Sequence, residues 1–197
     1  MIKEVVLATK NQGKIKEFTE LLSPVFGKVL SLREFNSLPE IVEDGETFGE
    51  NALKKARVIS KLTQKITLAD DSGLEVDALG GRPGVFSSRY AGENAGDEEN
   101  INKLLQELKG AANRNARFVC CLALVFPDGK EITVEGRCEG VIVEEPKGKG
   151  GFGYDPVFYL PELNKTMAEL TLEEKNLLSH RSRAVNALIM YLNGQKD

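Results

Sequence analysis

The chain has no tryptophan, one histidine and three cysteines among its 197 residues, and each scarcity excludes a class of chemistry. A single histidine, His180, cannot build a His-rich zinc site. Cys120 and Cys121 are neighbours in a strand-like run, so their side chains point to opposite faces, and Cys138 is left as the one further thiol. Reduced structural thiols are expected. No Gly-x-Ser-x-Gly elbow occurs and no cysteine lies in an obviously electropositive setting, which disfavours covalent catalysis. The longest apolar run, Phe118 to Phe126, has nine residues, against the roughly 20 of a membrane-spanning helix. An excess of charge is also lacking: 26 basic and 30 acidic side chains give a net charge of −4. No global field would draw in a nucleic acid or an anionic membrane, so a polyanionic ligand must be met locally. Met1-Ile2-Lys3-Glu4 leads into a strand-like segment without the apolar stretch of a signal peptide, so a cytoplasmic location is expected.

A hydrophobic fraction of 41% and a charged fraction of 28% are those of an ordinary globular chain of one domain, here residues 1–197. Val5-Val6-Leu7 has the signature of a buried strand. After Thr9 to Lys14, residues Ile15, Phe18, Leu21 and Leu22 follow at helical spacing and stop near Pro24. A short strand around Val29-Leu30 precedes a polar loop with Pro39, Glu40, Glu43 and Asp44. Thr47 and Glu50 form a capping-box pattern, and Phe48, Ala52, Ala56, Ile59 and Leu62 mark one face of a long helix. Ile66 to Ala69 predicts a strand ending at Asp70-Asp71. Ile101, Leu104, Leu105 and Leu108 mark a further helix. Phe118 to Phe126, Pro127-Asp128-Gly129 and Glu131 to Val134 form a hairpin, and after Val141-Ile142-Val143 comes a second glycine-rich loop, Gly148 to Gly153. A last helix is predicted from Ser179 to Gly194. Strand–helix units together with a long hairpin predict an α/β fold with a mixed sheet and flanking helices.

Three segments carry candidate chemistry. In Thr9, Lys10, Asn11, Gln12, Gly13 and Lys14, the amides of a helix start and two lysines suit phosphate oxygens, although a capped helix with solvated lysines explains them as well. Asp70-Asp71, with the acidic loop of Glu40, Glu43 and Asp44, offers hard oxygen ligands at a predicted strand end, where α/β sheets bind ligands. The alternative there is a solvated turn before Gly73. In the loop from Gly150 to Pro156, Phe152 and Tyr154 could stack on a base while Lys175, His180 and Arg181 read its edge. Packed aromatics and solvated charges remain the other reading.

These segments resemble, in register over nearly the whole chain, the inosine triphosphate pyrophosphatases, which act on non-canonical purine nucleotides. The matches are TKNQGK (9–14), TFGENALKKA (47–56), ADDSGLEVDALGGRPGVFSSRYAG (69–92), GGFGYDPVF (150–158), MAEL..EEKN (167–176) and SHR (179–181). The resemblance implies an elongated mixed α/β fold with two lobes around a central cleft, a homodimer, and Mg²⁺-dependent hydrolysis of ITP, dITP and XTP to monophosphate and pyrophosphate. It also implies Thr9, Asn11 and Lys14 as the triphosphate grip, Glu40 and Asp71 as metal ligands with Asp70 in support, Asp71 as general base, and Ser72 as a substrate contact. Phe152, Gly153, Tyr154, Asp155, Lys175, His180 and Arg181 correspond to the base and sugar pocket. Rival readings are a Maf-type pyrophosphatase acting on modified pyrimidine nucleotides and a non-catalytic nucleotide-binding module.

Overall fold

The computed structural model describes residues 3–36 and 38–194, so Met1 and Ile2 of the amino-terminal segment lie outside the described residues. In chain order the elements are β1 (Glu4–Leu7), α1 (Gln12–Leu22), β2 (Lys28–Ser31), α2 (Phe48–Thr63), β3 (Thr67–Val76), α3 (Asp97–Glu107), β4 (Asn115–Val125), β5 (Glu131–Ile142), β6 (Phe158–Leu160), β7 (Lys165–Thr166), α4 (Leu172–Leu178) and α5 (His180–Gly194). The seven strands form one sheet in the order β2-β1-β3-β4-β5-β6-β7. It is mixed: β1 pairs in parallel with β2 and β3, whereas β5–β6 and β6–β7 are antiparallel.

The chain divides into two compact units, 1–71 with 120–136 and 181–197, and 72–119 with 137–180. In the first, the strands read as unbroken apolar runs because both of their faces are covered. Val5, Leu7, Leu68, Leu122 and Leu124 share a core with Phe18 and Leu22 of α1 and with Ala184, Val185 and Leu188 of α5. Val6, Ala8, Ala69, Ala123 and Val125 alternate with them and pack with Ala52, Ala56 and Ile59 of α2. This period-two alternation decides where every side chain of β3 goes. In the second unit, Leu74 and Val76 of β3 join Ile101, Leu104, Phe118, Val157 and Phe158, with the Phe118 and Phe158 rings 4.3 Å apart between centroids.

Thr47 begins α2 with the expected reciprocal cap: its side chain accepts from the Glu50 amide, and Glu50 accepts from the Thr47 amide. Strands β6 and β7 were not expected from the sequence, and four other elements differ from its reading. Strand β3 does not stop at Ala69 but runs on to Val76, carrying Asp70 and Asp71 inside it rather than in a turn. The carboxylates are tolerated there because cationic and amide groups of the flanking helices meet them. The strand read over 131–134 runs on to Ile142 as one twelve-residue strand, β5, beside β4 in the sheet. Helix α4, capped by Thr171 with Glu174, was not expected, and Ser179 ends α4 while α5 starts at His180.

Candidate active site

Consecutive residues of a strand point to opposite faces. Asp70 therefore follows Leu68 toward α1 and α5, and Asp71 follows Ala69 toward α2. Adjacency in sequence suggests two carboxylates repelling each other, but the strand separates them and gives each its own surroundings.

Asp70 is fully buried and is met by Lys14 Nζ at 2.7 Å. Burial pushes its carboxyl up, but the charges of Lys14, Lys55 and Arg181 outweigh this and hold it below the ordinary range. Arg181, from the start of α5, donates to Glu17 of α1 at 3.0 Å, with both side chains buried. Asp71 is 7% exposed. Its Oδ2 accepts from Asn51 Nδ2 at 2.9 Å, and its Oδ1 lies 3.9 Å from Lys55 Nζ, which itself binds Glu43 at 2.8 Å. The Asn51 amide is oriented by its other end, since Oδ1 accepts the Gly45 N–H at 2.8 Å. A Cβ at position 45 would stand 2.7 Å from that oxygen, so glycine is required for the approach.

The outcome for Asp71 is the reverse of that for Asp70. Burial first and the Glu43 charge second raise its carboxyl from 3.8 to about 6, against the pull of Lys55, Lys14 and Asn51. Lys55 is drawn down by burial, yet Asp70, Asp71 and Glu43 together keep its ammonium above the ordinary value. Three cations (Lys14, Lys55, Arg181) thus face four carboxylates (Glu17, Glu43, Asp70, Asp71). A carboxylate of apparent pKa near 6 in a protected site is well matched to accept a proton near neutral pH.

The 9–14 turn begins α1. Asn11 is its N-cap, its Oδ1 accepting the Lys14 N–H at 3.0 Å, and Thr9 Oγ1 accepts the Asn11 N–H at 3.2 Å. Lys10, Asn11 and Gln12 are exposed, and the Gln12 side chain folds back onto Lys10 O. Gln12 and Gly13 stand in the first turn, where amides have no partner within the helix. Lys14 is turned to Asp70, so in this arrangement it neutralises the strand. Glu40 is exposed and has no hydrogen bond or ion pair among the described residues, and Glu43 is the acidic-loop residue that joins the cluster through Lys55. Among the described residues no three His, Cys, Asp or Glu side chains form a group that could hold a metal ion. The structure therefore does not bring Glu40, Asp70 and Asp71 together as one ligand set. The excess of carboxylate over cation and the raised Asp71 pKa nevertheless fit a hard divalent cation, which hard oxygen donors prefer.

In the second unit a separate cluster forms. The Gly148 to Asp155 loop is shaped by Gly148, Gly151 and Gly153, all at positive φ. A Cβ on Gly151 would overlap the Asp155 carboxylate. Asp155 Oδ2 accepts the Phe152 N–H at 2.9 Å and Lys175 Nζ at 2.6 Å, and that ammonium lies 5.1 Å from the centre of the Phe152 ring. Lys175 and Asp155 are each only 4% exposed in their side chains. Tyr154 is buried with its hydroxyl on Ser87 O at 2.8 Å, and burial pushes its pKa well up. His180 is buried and stacks on Phe118 at 4.8 Å. Ser72 is half-buried on β3 next to Asp71.

The sequence reading missed Asn51, Lys55 and Glu17. A signal existed. Phe48, Asn51, Ala52, Lys55, Ala56 and Ile59 are the buried face of α2, so an amide and an ammonium interrupt an apolar stripe at i, i+4. Glu17 likewise interrupts the buried stripe of α1. Polar groups in such positions need partners across the core.

A mixed α/β fold that holds a buried carboxylate of raised pKa beside Lys55 and Asn51 suits acid–base chemistry, and its relatives are pyrophosphatases, enzymes of the hydrolase class. The chain belongs to the Ham1 family, whose sequence model matches residues 5–191. It is 54% identical to the dITP/XTP pyrophosphatase of Geobacillus kaustophilus over 189 residues, covering 95% of this chain and 93% of that one. It is 53% identical to the dITP/XTP pyrophosphatase of Bacillus subtilis over 190 residues, covering 95% and 96%. Among solved structures, the Ham1 protein of Staphylococcus aureus superposes with a TM-score of 0.88 at 45% identity, covering 98% of this chain and 100% of that one. The nucleoside-triphosphatase / dITP/XTP pyrophosphatase of Mycobacterium abscessus gives 0.76 at 44% identity, covering 94% and 97%.

Proposed function

We propose that the chain hydrolyses dITP, XTP and ITP to the nucleoside monophosphate and pyrophosphate, and so keeps these purines out of nucleic acids. The observation that carries this reading is Asp71, a buried carboxylate raised to about 6 between Lys55 and Asn51. The names of the relatives supply the substrates. In the reaction a water attacks the α-phosphorus, its proton passes to Asp71 Oδ1 or Oδ2, the bond from the α-phosphorus to the bridging oxygen breaks, and pyrophosphate leaves with that oxygen. Asn51 holds the carboxylate in orientation. Lys55 and the open amides at the start of α1, with Lys10 and Thr9, stabilise the phosphate charge. Mg²⁺ is the cofactor we assign: Asp71 and Glu43 would hold it, and when bound it neutralises charge on the triphosphate.

The Phe152, Gly153, Tyr154 and Asp155 loop and Lys175 are assigned to the base. A donor locked by Asp155 can bond the 6-oxo group of hypoxanthine or xanthine and is left unmet by the 6-amino group of adenine, a form of discrimination worth up to about 10⁴-fold. Arg181, paired with Glu17 and acting on Asp70, is better supported as a brace of the catalytic strand than as a reader of the base. No helix among the described residues is long and apolar enough to cross a membrane. We place the protein in the cytoplasm, where free nucleotides are, as the homodimer that the family resemblance implies. Light scattering on the purified chain checks the assembly. Pyrophosphate release from dITP, dGTP and dATP with Mg²⁺ tests the activity: release from dITP well above the other two is expected, and none from dITP would refute it.

A further inference from the structure

Two consecutive backbone amides of the Gly148 to Asp155 loop end on carboxylates from different parts of the second unit. The Phe152 N–H is on Asp155 Oδ2 at 2.9 Å, and the Gly153 N–H is on Asp97 Oδ2 at 2.6 Å. The first amide belongs to the peptide plane before the Phe152 Cα and the second to the plane after it. Because peptides are planar, fixing both planes fixes φ and ψ of Phe152, and with them the direction in which its Cα–Cβ bond leaves the chain.

Asp97 is exposed and opens α3, where an acidic residue ordinarily serves its own helix by facing the amides of the first turn. The cap of α3 is closed by Glu99, whose Oε2 accepts the N–H of the N-cap residue Gly96 at 2.8 Å. The Asp97 carboxylate instead reaches 56 residues along the chain to a glycine whose φ is +60. A hydrogen bond to a charged acceptor is among the stronger single contacts available to a surface loop.

We propose that Asp97 is a positioning residue for the base pocket: by holding the Gly153 amide it aims the Phe152 ring, without itself touching the substrate. This rests on the assignment of Phe152 to the base made above. Lys175 reads the base edge and the ring supplies a stacking face, and stacking tolerates any purine. The two residues therefore fail differently.

The test measures amide hydrogen exchange and steady-state kinetics on the full chain for Asp97→Ala, Asp97→Asn and Phe152→Ala. Without nucleotide, Asp97→Ala should speed exchange at Gly153 by about tenfold or more, the loss expected for one strong hydrogen bond. In kinetics it should raise KM for dITP and dATP by a similar factor, about tenfold, with kcat and the dITP to dATP ratio kept. Asp97→Asn retains an acceptor oxygen and should recover most of the loss. Unchanged exchange at Gly153, or an unchanged KM in Asp97→Ala where Phe152→Ala raises it, overturns the role of Asp97. An unchanged KM in Phe152→Ala itself overturns instead the assignment of that ring to the base.

Discussion

Two of the contacts that buried lysines make with carboxylates, Lys55 with Asp71 and Glu43 in the first compact unit and Lys175 with Asp155 in the second, differ in their surroundings. In the second unit Asp155 and Lys175 meet at 2.6 Å, both buried, and the same carboxylate oxygen accepts a loop amide. In the first, Lys55 stands 3.9 Å from Asp71 and 2.8 Å from Glu43, and Asp70 acts on it as well. The Lys175–Asp155 pair is a fixed donor. In the first unit burial above all, with the Glu43 charge beside it, raises the Asp71 carboxyl to about 6 against the pull of Lys55 and Lys14. The same residue types thus make a fixed donor where ammonium and carboxylate meet closely, and a proton acceptor where burial outweighs the neighbouring cations.

The comparison is broken most severely by Asp71→Asn, which removes the acceptor while keeping shape and the Asn51 contact. We expect kcat to fall by roughly 10²–10⁴-fold with KM little changed, measured as pyrophosphate release from dITP. Near-normal turnover would place the base elsewhere. The same variant tests the stability side. A folded pKa raised from 3.8 to about 6 means that the protonated form is favoured in the fold, so this contribution is present below pH 4 and lost as pH rises through 6. Asp71→Asn should therefore be more stable than the parent above pH 6 and equal to it near pH 4, by thermal unfolding.

The next effect concerns the Lys175–Asp155 pair. Asp155→Ala leaves the Lys175 ammonium buried without its carboxylate, a loss of about 3–5 kcal/mol, whereas Asp155→Ala with Lys175→Met should recover most of it. Equal destabilisation of single and double variants in denaturant unfolding would remove the pair from the account. Smaller again is Lys175→Ala, for which the ratio of dITP to dATP hydrolysis should fall by about tenfold or more. An unchanged ratio would move base reading to other residues.

The smallest change sharpens the comparison in the first unit. Glu43→Gln removes a like charge and one carboxylate assigned to Mg²⁺, so it should raise the Mg²⁺ concentration needed for activity, and at saturating Mg²⁺ the acid limb of kcat/KM, expected near pH 6 in the parent, should move to lower pH. A limb that stays in place would show that Glu43 does not set the proton affinity of Asp71.

Much of this was legible from the order of residues. The apolar runs, the capping residues Thr47 and Glu50 and the Pro127-Asp128-Gly129 hairpin turn are local signals, and they located most helices and strands. The short strands β6 and β7 and the seven-residue α4 were not legible, because elements of that length carry too few positions for a period to show. The site was legible as three segments in register with one family, since motifs survive as runs of neighbours. Its wiring was not. Asp70 and Asp71 are identical side chains one residue apart, and nothing near them in sequence says that one is held ionised and the other raised toward neutrality. That difference comes from β3 continuing past them, which sends one toward Lys14 and Arg181 and the other toward Asn51, Lys55 and Glu43. By itself the sequence determined the elements, the family and the candidate segments, because these rest on short-range patterns. Only the tertiary structure decided which carboxylate has its proton affinity raised and which has it lowered, because proton affinity depends on burial and on charges brought together from distant parts of the chain.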